Sequence, residues 1–248
     1  IKMRNRRGMQ GASAGALVLL CAPAGALVPQ LLDWFKNSEF VARKHAEHRQ
    51  SESVVHMMKG TVLAAAPDDK KLEFADSWAG RGVAEFMRQE QALLGDWKVS
   101  QILDAAGLDA DALDAARADL DDLRRSAPVV VFSFEDCPWC VAARTLLTVT
   151  LGLPTPDVVN VIELEPLGRR GKALRAALAL ATGRTSLPNV FVDHKSVGGH
   201  TDGYAESPPP SDDYAQSVCR EGSPGLQQLY ESGDLERMLR DAGVTLEP

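Results

Sequence analysis

The chain reads as an α/β protein: a sheet flanked by helices, preceded by a mainly helical N-terminal region. Three observations carry that reading. Val129-Val130-Val131-Phe132-Ser133-Phe134 is a short continuous run of β-branched and aromatic residues, the pattern of a central strand buried on both faces. Directly after it, Cys137-Pro138-Trp139-Cys140 opens a helical stretch from Val141 to Leu151. A second apolar strand, Val158 to Leu164, is followed by a helical segment over 168–182 that stops at Gly183.

A length of 248 residues predicts one domain plus an extension, or two modest domains. Apolar residues make up 45% and charged residues 25%, an ordinary soluble-globular balance. The net charge of −7, with no long basic stripe, argues against a nucleic-acid binder. Cys21, Cys137, Cys140 and Cys219 are too few for a disulfide-stapled secreted scaffold, and only Cys137 and Cys140 are close in sequence.

At the N-terminus, Lys2, Arg4, Arg6 and Arg7 precede an almost uncharged run from Gly8 to Leu32. Basic flank, apolar stretch and small-residue end read as a targeting segment over 1–26, cut after Ala26. The run over 11–32 is also about long enough to span a bilayer, so a membrane anchor is the alternative, weakened by Pro23 and Pro29. Residues 27–105 are expected to be mainly helical. Within them, His45 and His48 read as a solvated helix face rather than a metal site. Residues 64–72 read as a linker or turn. Next comes a helix capped by Asp76 or Ser77 and carrying Trp78, Val83, Phe86, Met87 and Leu94. A break is expected at Gly95-Asp96, with a further short helix starting near Trp97. The aromatic and Met positions read as core, and no chemical constellation stands out in 27–105. From Asp109, a helix with Leu113, Ala116, Leu120 and Leu123 on one face is expected to carry Arg124 and Arg125 in its last turn and to stop at Pro128.

The chemistry sits at Cys137. A thiol between a strand and a helix N-terminus meets free backbone N–H groups and the positive end of the helix dipole. Such a thiol has its pKa lowered to roughly 3.5–7.5, so much of it is thiolate near neutrality. Pro138 fits the first turn, where its missing N–H costs nothing. Cys140, one turn on, is placed to attack a mixed disulfide on Cys137. The competing zinc reading needs two further ligands, which Cys219 and one histidine supply poorly, so no metal is expected.

Four motifs in register carry a family resemblance. They are Pro138-Trp139 between the cysteines, Thr182-Gly183 followed by Leu187-Pro188-Asn189-Val190-Phe191, Gly198-Gly199-His200-Thr201-Asp202, and Ser232-Gly233-Asp234-Leu235 before the last helix. In order and spacing they resemble the dithiol glutaredoxins over the domain assigned to 106–248. The resemblance implies a thioredoxin-like (glutaredoxin) four-stranded mixed sheet flanked by helices, with glutathione as cofactor. It also implies Cys137 as the nucleophile, Cys140 as the resolving thiol and Pro188 in the cis form. Leu187 would offer its backbone to the glutathione cysteine. Thr201 and Asp202, beside Gly199 and His200, would hold the γ-glutamyl end, with Gly198 and Gly199 allowing close backbone approach. The implied activity is glutathione-dependent reduction of protein–glutathione mixed disulfides or protein disulfides, and the implied partners are those proteins. An iron–sulfur cluster is not expected, because family members that bind one usually lack proline in the motif, where this chain has Pro138.

The sequence departs from the family in three places. Phe134 stands where the family usually has Lys, and Glu135 and Asp136 beside Cys137 are expected to raise its pKa and repel an anionic tripeptide. Arg175 is expected to supply a compensating cation. Residues 204–224 are an insertion, read as a lid, a docking loop or a disordered loop; Cys219 within it reads as an unremarkable free cysteine, with a regulatory thiol as the alternative. Residues 27–105 have no counterpart in a minimal glutaredoxin. The alternative function is therefore a glutaredoxin-like interaction subunit of a larger, membrane-bound organellar (photosynthetic) assembly, contacted through residues 1–105. The expected location is organellar, a plastid, with membrane association as a variant.

Overall fold

Val129–Ser133 forms β1, and every one of its residues is buried. The computed structural model describes residues 69–205 and 212–246, so the basic and apolar segment over 1–32 and the pair His45 and His48 lie outside the described residues. β1 pairs in parallel with β2 (Val159–Glu163) and antiparallel with β3 (Asn189–Val192), which pairs antiparallel with β4 (Lys195–Gly198). The result is a four-stranded mixed sheet in the order β2-β1-β3-β4. A parallel pair needs a crossover, and α4 (Pro138–Thr145) with a following π turn (Leu146–Thr150) supplies it between β1 and β2. The β3–β4 hairpin closes through Asp193 and His194, both at positive φ, the geometry that matches strand twist in a two-residue turn.

Alternation along β1 divides its side chains between two cores. Val130 and Phe132 pack with Leu120, Ile162, Leu174 and Phe191 under α3 (Ala110–Leu123) and α5 (Arg169–Thr182). Val129 and Val131 pack with Ala143, Leu147, Leu226, Leu235 and Leu239, beneath α4, α7 (Leu226–Glu231) and α8 (Asp234–Asp241). Phe132 and Phe191 meet edge to face at 5.5 Å between centroids.

Ahead of the sheet lie α1 (Asp69–Asp76) and α2 (Trp78–Ala106). Ser77 caps α2 by accepting from the Gly80 N–H at 2.9 Å. Three expectations are corrected here, the first being that the aromatic positions of this region are core: Trp78, Phe86 and Trp97 are exposed. The turn assigned to 64–72 gives way to α1 from Asp69 onward, while 64–68 lie outside the described residues. The break at Gly95-Asp96 is absent: α2 runs through it. A Cβ at Gly95 would lie 2.6 Å from Gln91 Nε2, so glycine there leaves room for the Gln91 side chain. α1 packs on α4 and α2 on α5.

α3 ends at Leu123, earlier than a stop at Pro128 implied, because Ser126 Oγ takes up the Leu123 carbonyl at 2.7 Å. Arg124 then turns inward and donates to the His194 carbonyl at 2.6 Å. Within the 204–224 insertion, α6 (Asp213–Val218) is capped by Asp212, and Arg220 N–H donates to the Ser196 carbonyl at 2.8 Å. That contact covers the edge of β4. Among the described residues, no helix is long and apolar enough to cross a membrane.

Candidate active site

Cys137 is the N-cap of α4, with Pro138 at the first helical position. Its Sγ is half-buried and lies 3.5 Å from the Leu187 carbonyl. Cys140 is fully buried, and its sulfur accepts from the Phe134 N–H at 3.5 Å. The two thiols are driven apart in acidity. Cys137 is held below the ordinary cysteine value, chiefly because Cys140 donates to it, against burial, and with help from the N–H groups of Cys140 and Trp139 and the charge of Arg144. Cys140 is pushed far up, first by burial and then by its negative neighbour. The expectation that Glu135 and Asp136 raise the Cys137 pKa is overturned. Both carboxylates are exposed, and Asp136 pairs with Lys71 at 2.9 Å. The helix N-terminus and Cys140 are closer in effect than two solvated acids. Below the thiols, Ser133 Oγ donates to Glu163 at 3.0 Å, and Arg144 pairs with the same carboxylate, whose pKa burial raises.

The Leu187–Pro188 peptide is cis. Leu187, Pro188, Gly199, His200, Thr201 and Asp202 come together as walls of one cavity, beside Trp139. Arg175 is not among its lining residues: its guanidinium lies over the Phe134 ring at 5.2 Å. Sequence reasoning missed Arg184. It is 7% exposed, its Nη2 pairs with Asp202 at 2.8 Å, and its Nε has no partner. The available signal was a lone charge in the small and apolar stretch between Gly183 and Phe191. Arg184 also explains Gly199, where a Cβ would lie 2.6 Å from Arg184 Nη2 and 2.7 Å from Asp202 Oδ1. Gly198 stands at φ +104, with a Cβ position 2.5 Å from Gly203 Cα. The glycines thus let the chain fold tightly on itself, and Gly199 N–H donates to the Asp202 carbonyl at 2.7 Å to close the turn. Behind the cavity, Asn189 links Thr182 (3.1 Å) and Ser196 (2.6 Å), and Ser196 meets the Tyr204 hydroxyl at 2.9 Å. Cys219 is buried against the Ala181 carbonyl at 3.5 Å, and burial raises its pKa, which keeps the thiol neutral.

His200 is 7% exposed and its Nδ1 has no partner. Burial pushes its pKa down to about 4, against the upward pull of Asp76, Asp202 and Glu231. Above pH 6.5 the ring is neutral in both folded and unfolded chains. As pH falls from 6.5 to about 4, the unfolded chain takes up the proton first, so stability is lost through that window and levels off below it. The melting temperature of the wild type should therefore fall more between pH 6.5 and 4 than that of His200→Asn. Parallel curves would remove His200 from the acid response.

A dithiol at a helix N-terminus, facing a cis-proline loop on a four-stranded mixed sheet, defines a protein of the thioredoxin-like fold class. The glutaredoxin family model matches residues 129–197. A glutaredoxin of Solanum lycopersicum is 40% identical over 72 residues, 29% of this chain and 61% of that protein. The chain thus spans about three-fifths of that relative's length. A relative from Oryza sativa subsp. japonica named glutaredoxin-C4, chloroplastic, is 33% identical over 137 residues, 55% of this chain and 78% of that protein. A crystal structure of a buckwheat glutaredoxin–glutathione complex aligns with 27% identity and a TM-score of 0.41, covering 56% of this chain and 100% of that one. The chain belongs to the glutaredoxin family.

Proposed function

We propose that the protein is a glutathione-dependent thiol–disulfide oxidoreductase that reduces protein–glutathione mixed disulfides or protein disulfides. The observation that carries this reading is the half-buried Cys137 at the N-terminus of α4, its Sγ 3.5 Å from the Leu187 carbonyl of the cis Leu187–Pro188 loop, with Cys140 fully buried one turn behind it. The Cys137 thiolate attacks the glutathione sulfur of a glutathionylated protein; a new S–S bond forms, and the protein thiol leaves with a proton. A second glutathione thiolate then takes that sulfur as glutathione disulfide and returns Cys137 to thiolate. Alternatively, Cys140 loses its proton and attacks Cys137, forming the intramolecular disulfide and releasing glutathione. In this reading Leu187 pairs with the tripeptide backbone, and Thr201 and Asp202 take its γ-glutamyl end next to Gly199 and His200. Arg175 faces a glycine carboxylate from the Phe134 side. A plastid location is part of the proposal, supported by a relative whose name carries the word chloroplastic.

The test is glutathione-coupled reduction of a glutathionylated peptide, run beside alkylation of Cys137 by iodoacetamide. Turnover that saturates in glutathione supports the reading. Folded protein whose Cys137 alkylates readily but which gives no glutathione-dependent turnover overturns it. A second reading, an interaction subunit of a larger organellar assembly, is favoured by one feature: α2 leaves Trp78 83% and Leu93 79% exposed.

A further inference from the structure

The cavity lined by Leu187, Pro188 and the Gly199–Asp202 turn measures ≈ 20 Å3. That is about the space of one water, whereas small-molecule sites run to roughly 300 Å3 or more. Arg184, Thr201 and Asp202 also line a second cavity of ≈ 970 Å3 with Gln91 and Trp97, so what is closed is the Leu187–Pro188 end of the groove, next to Trp139. The wall that closes this end comes from the extension: Ala84 and Met87 of α2 line the smaller cavity. Independent contacts hold the extension there. At the thiol end, Phe74 of α1 meets Trp139 edge-on at 6.0 Å between centroids, and Lys71 pairs with Asp136, next to Cys137, at 2.9 Å. At the far end, the Gln91 side chain donates to the Gly183 carbonyl at 2.7 Å and accepts from Thr185 Oγ1 at 2.6 Å, on the loop that leads to Pro188. Between them, the α1–α2 corner is tight: a Cβ at Gly80 would lie 1.9 Å from the Phe74 carbonyl oxygen.

We propose that α1 and the N-terminal half of α2 form an intrachain cap over the substrate groove, and that glutathione and glutathionylated chains reach Cys137 only when this cap is displaced. The identity of the excluded ligand rests on the function proposed above; the cap itself does not. The contacts that hold it suit a reversible closure. Phe74 is 39% exposed, and the Asp136 side chain that meets Lys71 is 80% exposed, so neither contact contributes much alone. If the groove is open in only a small fraction of molecules, the apparent affinity for any ligand falls by that fraction. Minimal glutaredoxins lack this segment, so the gate is a property of this chain rather than of the fold.

The experiment compares the full chain with Gln91→Ala and with the triple variant Phe74→Ala/Met87→Asp/Gln91→Ala. In the triple variant a carboxylate at position 87 drives the apolar wall off the groove. Alkylation of Cys137 by iodoacetamide and glutathione-coupled turnover are measured on the same samples, with circular dichroism as the check of fold. The expected result is a rise of about tenfold in the alkylation rate in the triple variant, a smaller rise in Gln91→Ala, and a parallel rise in turnover. Faster alkylation with no glutathione turnover keeps the cap and removes the glutathione reading. An unchanged alkylation rate in the folded triple variant overturns the cap, whatever the turnover does.

Discussion

Cys137→Ser is expected to abolish turnover, a loss of at least about a thousandfold, because a serine hydroxyl cannot replace a thiolate as nucleophile or as disulfide partner. Cys140→Ser is expected to keep turnover through the route that uses a second glutathione, and to lose the intramolecular disulfide. The asymmetry follows from position. Cys137 lies at the mouth of the helix, half-buried, with N–H groups of Trp139 and Cys140 around its sulfur. Cys140 lies one turn inside, fully buried, and its high pKa keeps it protonated until an acceptor draws it into attack. Removing Cys140 also removes the hydrogen bond that contributes most to the low Cys137 pKa. The pH profile of alkylation in Cys140→Ala, which leaves no donor at that position, should therefore shift to higher pH than in the wild type, whereas Cys140→Ser keeps an O–H that can donate. Glutathione-coupled kinetics with mass spectrometry of Cys137 adducts read both effects. Equal activity in Cys137→Ser and the wild type would remove Cys137 from the chemistry altogether.

Arg184→Met should destabilise the fold by about 3 kcal/mol and raise the KM for glutathione by about tenfold or more. Removing one partner of a buried ion pair leaves the other charge uncompensated, which costs about 3–5 kcal/mol when both are fully buried. Here the Arg184 side chain is 6% exposed and that of Asp202 25%, so the lower end of the range applies. The loss does not stop at the pair. Asp202 lies against the Gly199 turn, and Arg184 Nη2 is also 3.4 Å from Ser186 Oγ. A single guanidinium thus ties the loop before Pro188 to the turn after β4, the two sides of the groove. Arg184→Lys keeps one positive charge without the planar fork, so it should recover part of the stability and little of the KM. Urea unfolding and glutathione saturation curves check the pair of effects. Wild-type stability and KM in Arg184→Met would show that the ion pair holds nothing in place.

Much of the fold was legible because its signals are local. The run Val129 to Phe134 is apolar without alternation, and the strand it forms is buried on both faces. Ser77 and Asp109 each cap the helix that follows, through a side chain that reaches the third N–H. Gly183 stops α5 in the left-handed conformation at φ 66. The break expected in α2 but absent has a cause of another kind. Gly95 usually signals a stop, but here a helix in contact with α5 overrides one weak residue, and the gap holds the Gln91 side chain. Glu135 and Asp136 misled because charge near a thiol in sequence is not charge near it in space. Both side chains point to solvent, where water screens them.

The sequence by itself determined the sheet-forming runs, the helix that begins at Cys137, and the loop residues Leu187 to Pro188 and Gly199 to Asp202 as parts of one motif set. The first two depend on backbone preferences and on local spacing; the third rests on the resemblance to the glutaredoxins. Only the tertiary structure decided which residues share the groove. Arg184 reaches Asp202 across eighteen positions, Arg175 settles over Phe134, and Ala84 and Met87 arrive from a helix a hundred residues upstream of the turn they face. The physical reason is that hydrophobic periodicity specifies that a helix face will be buried, but carries no address for the surface that buries it. That address comes from the packing of whole elements, and here it places Ala84 and Met87 of α2 over the groove beside Trp139.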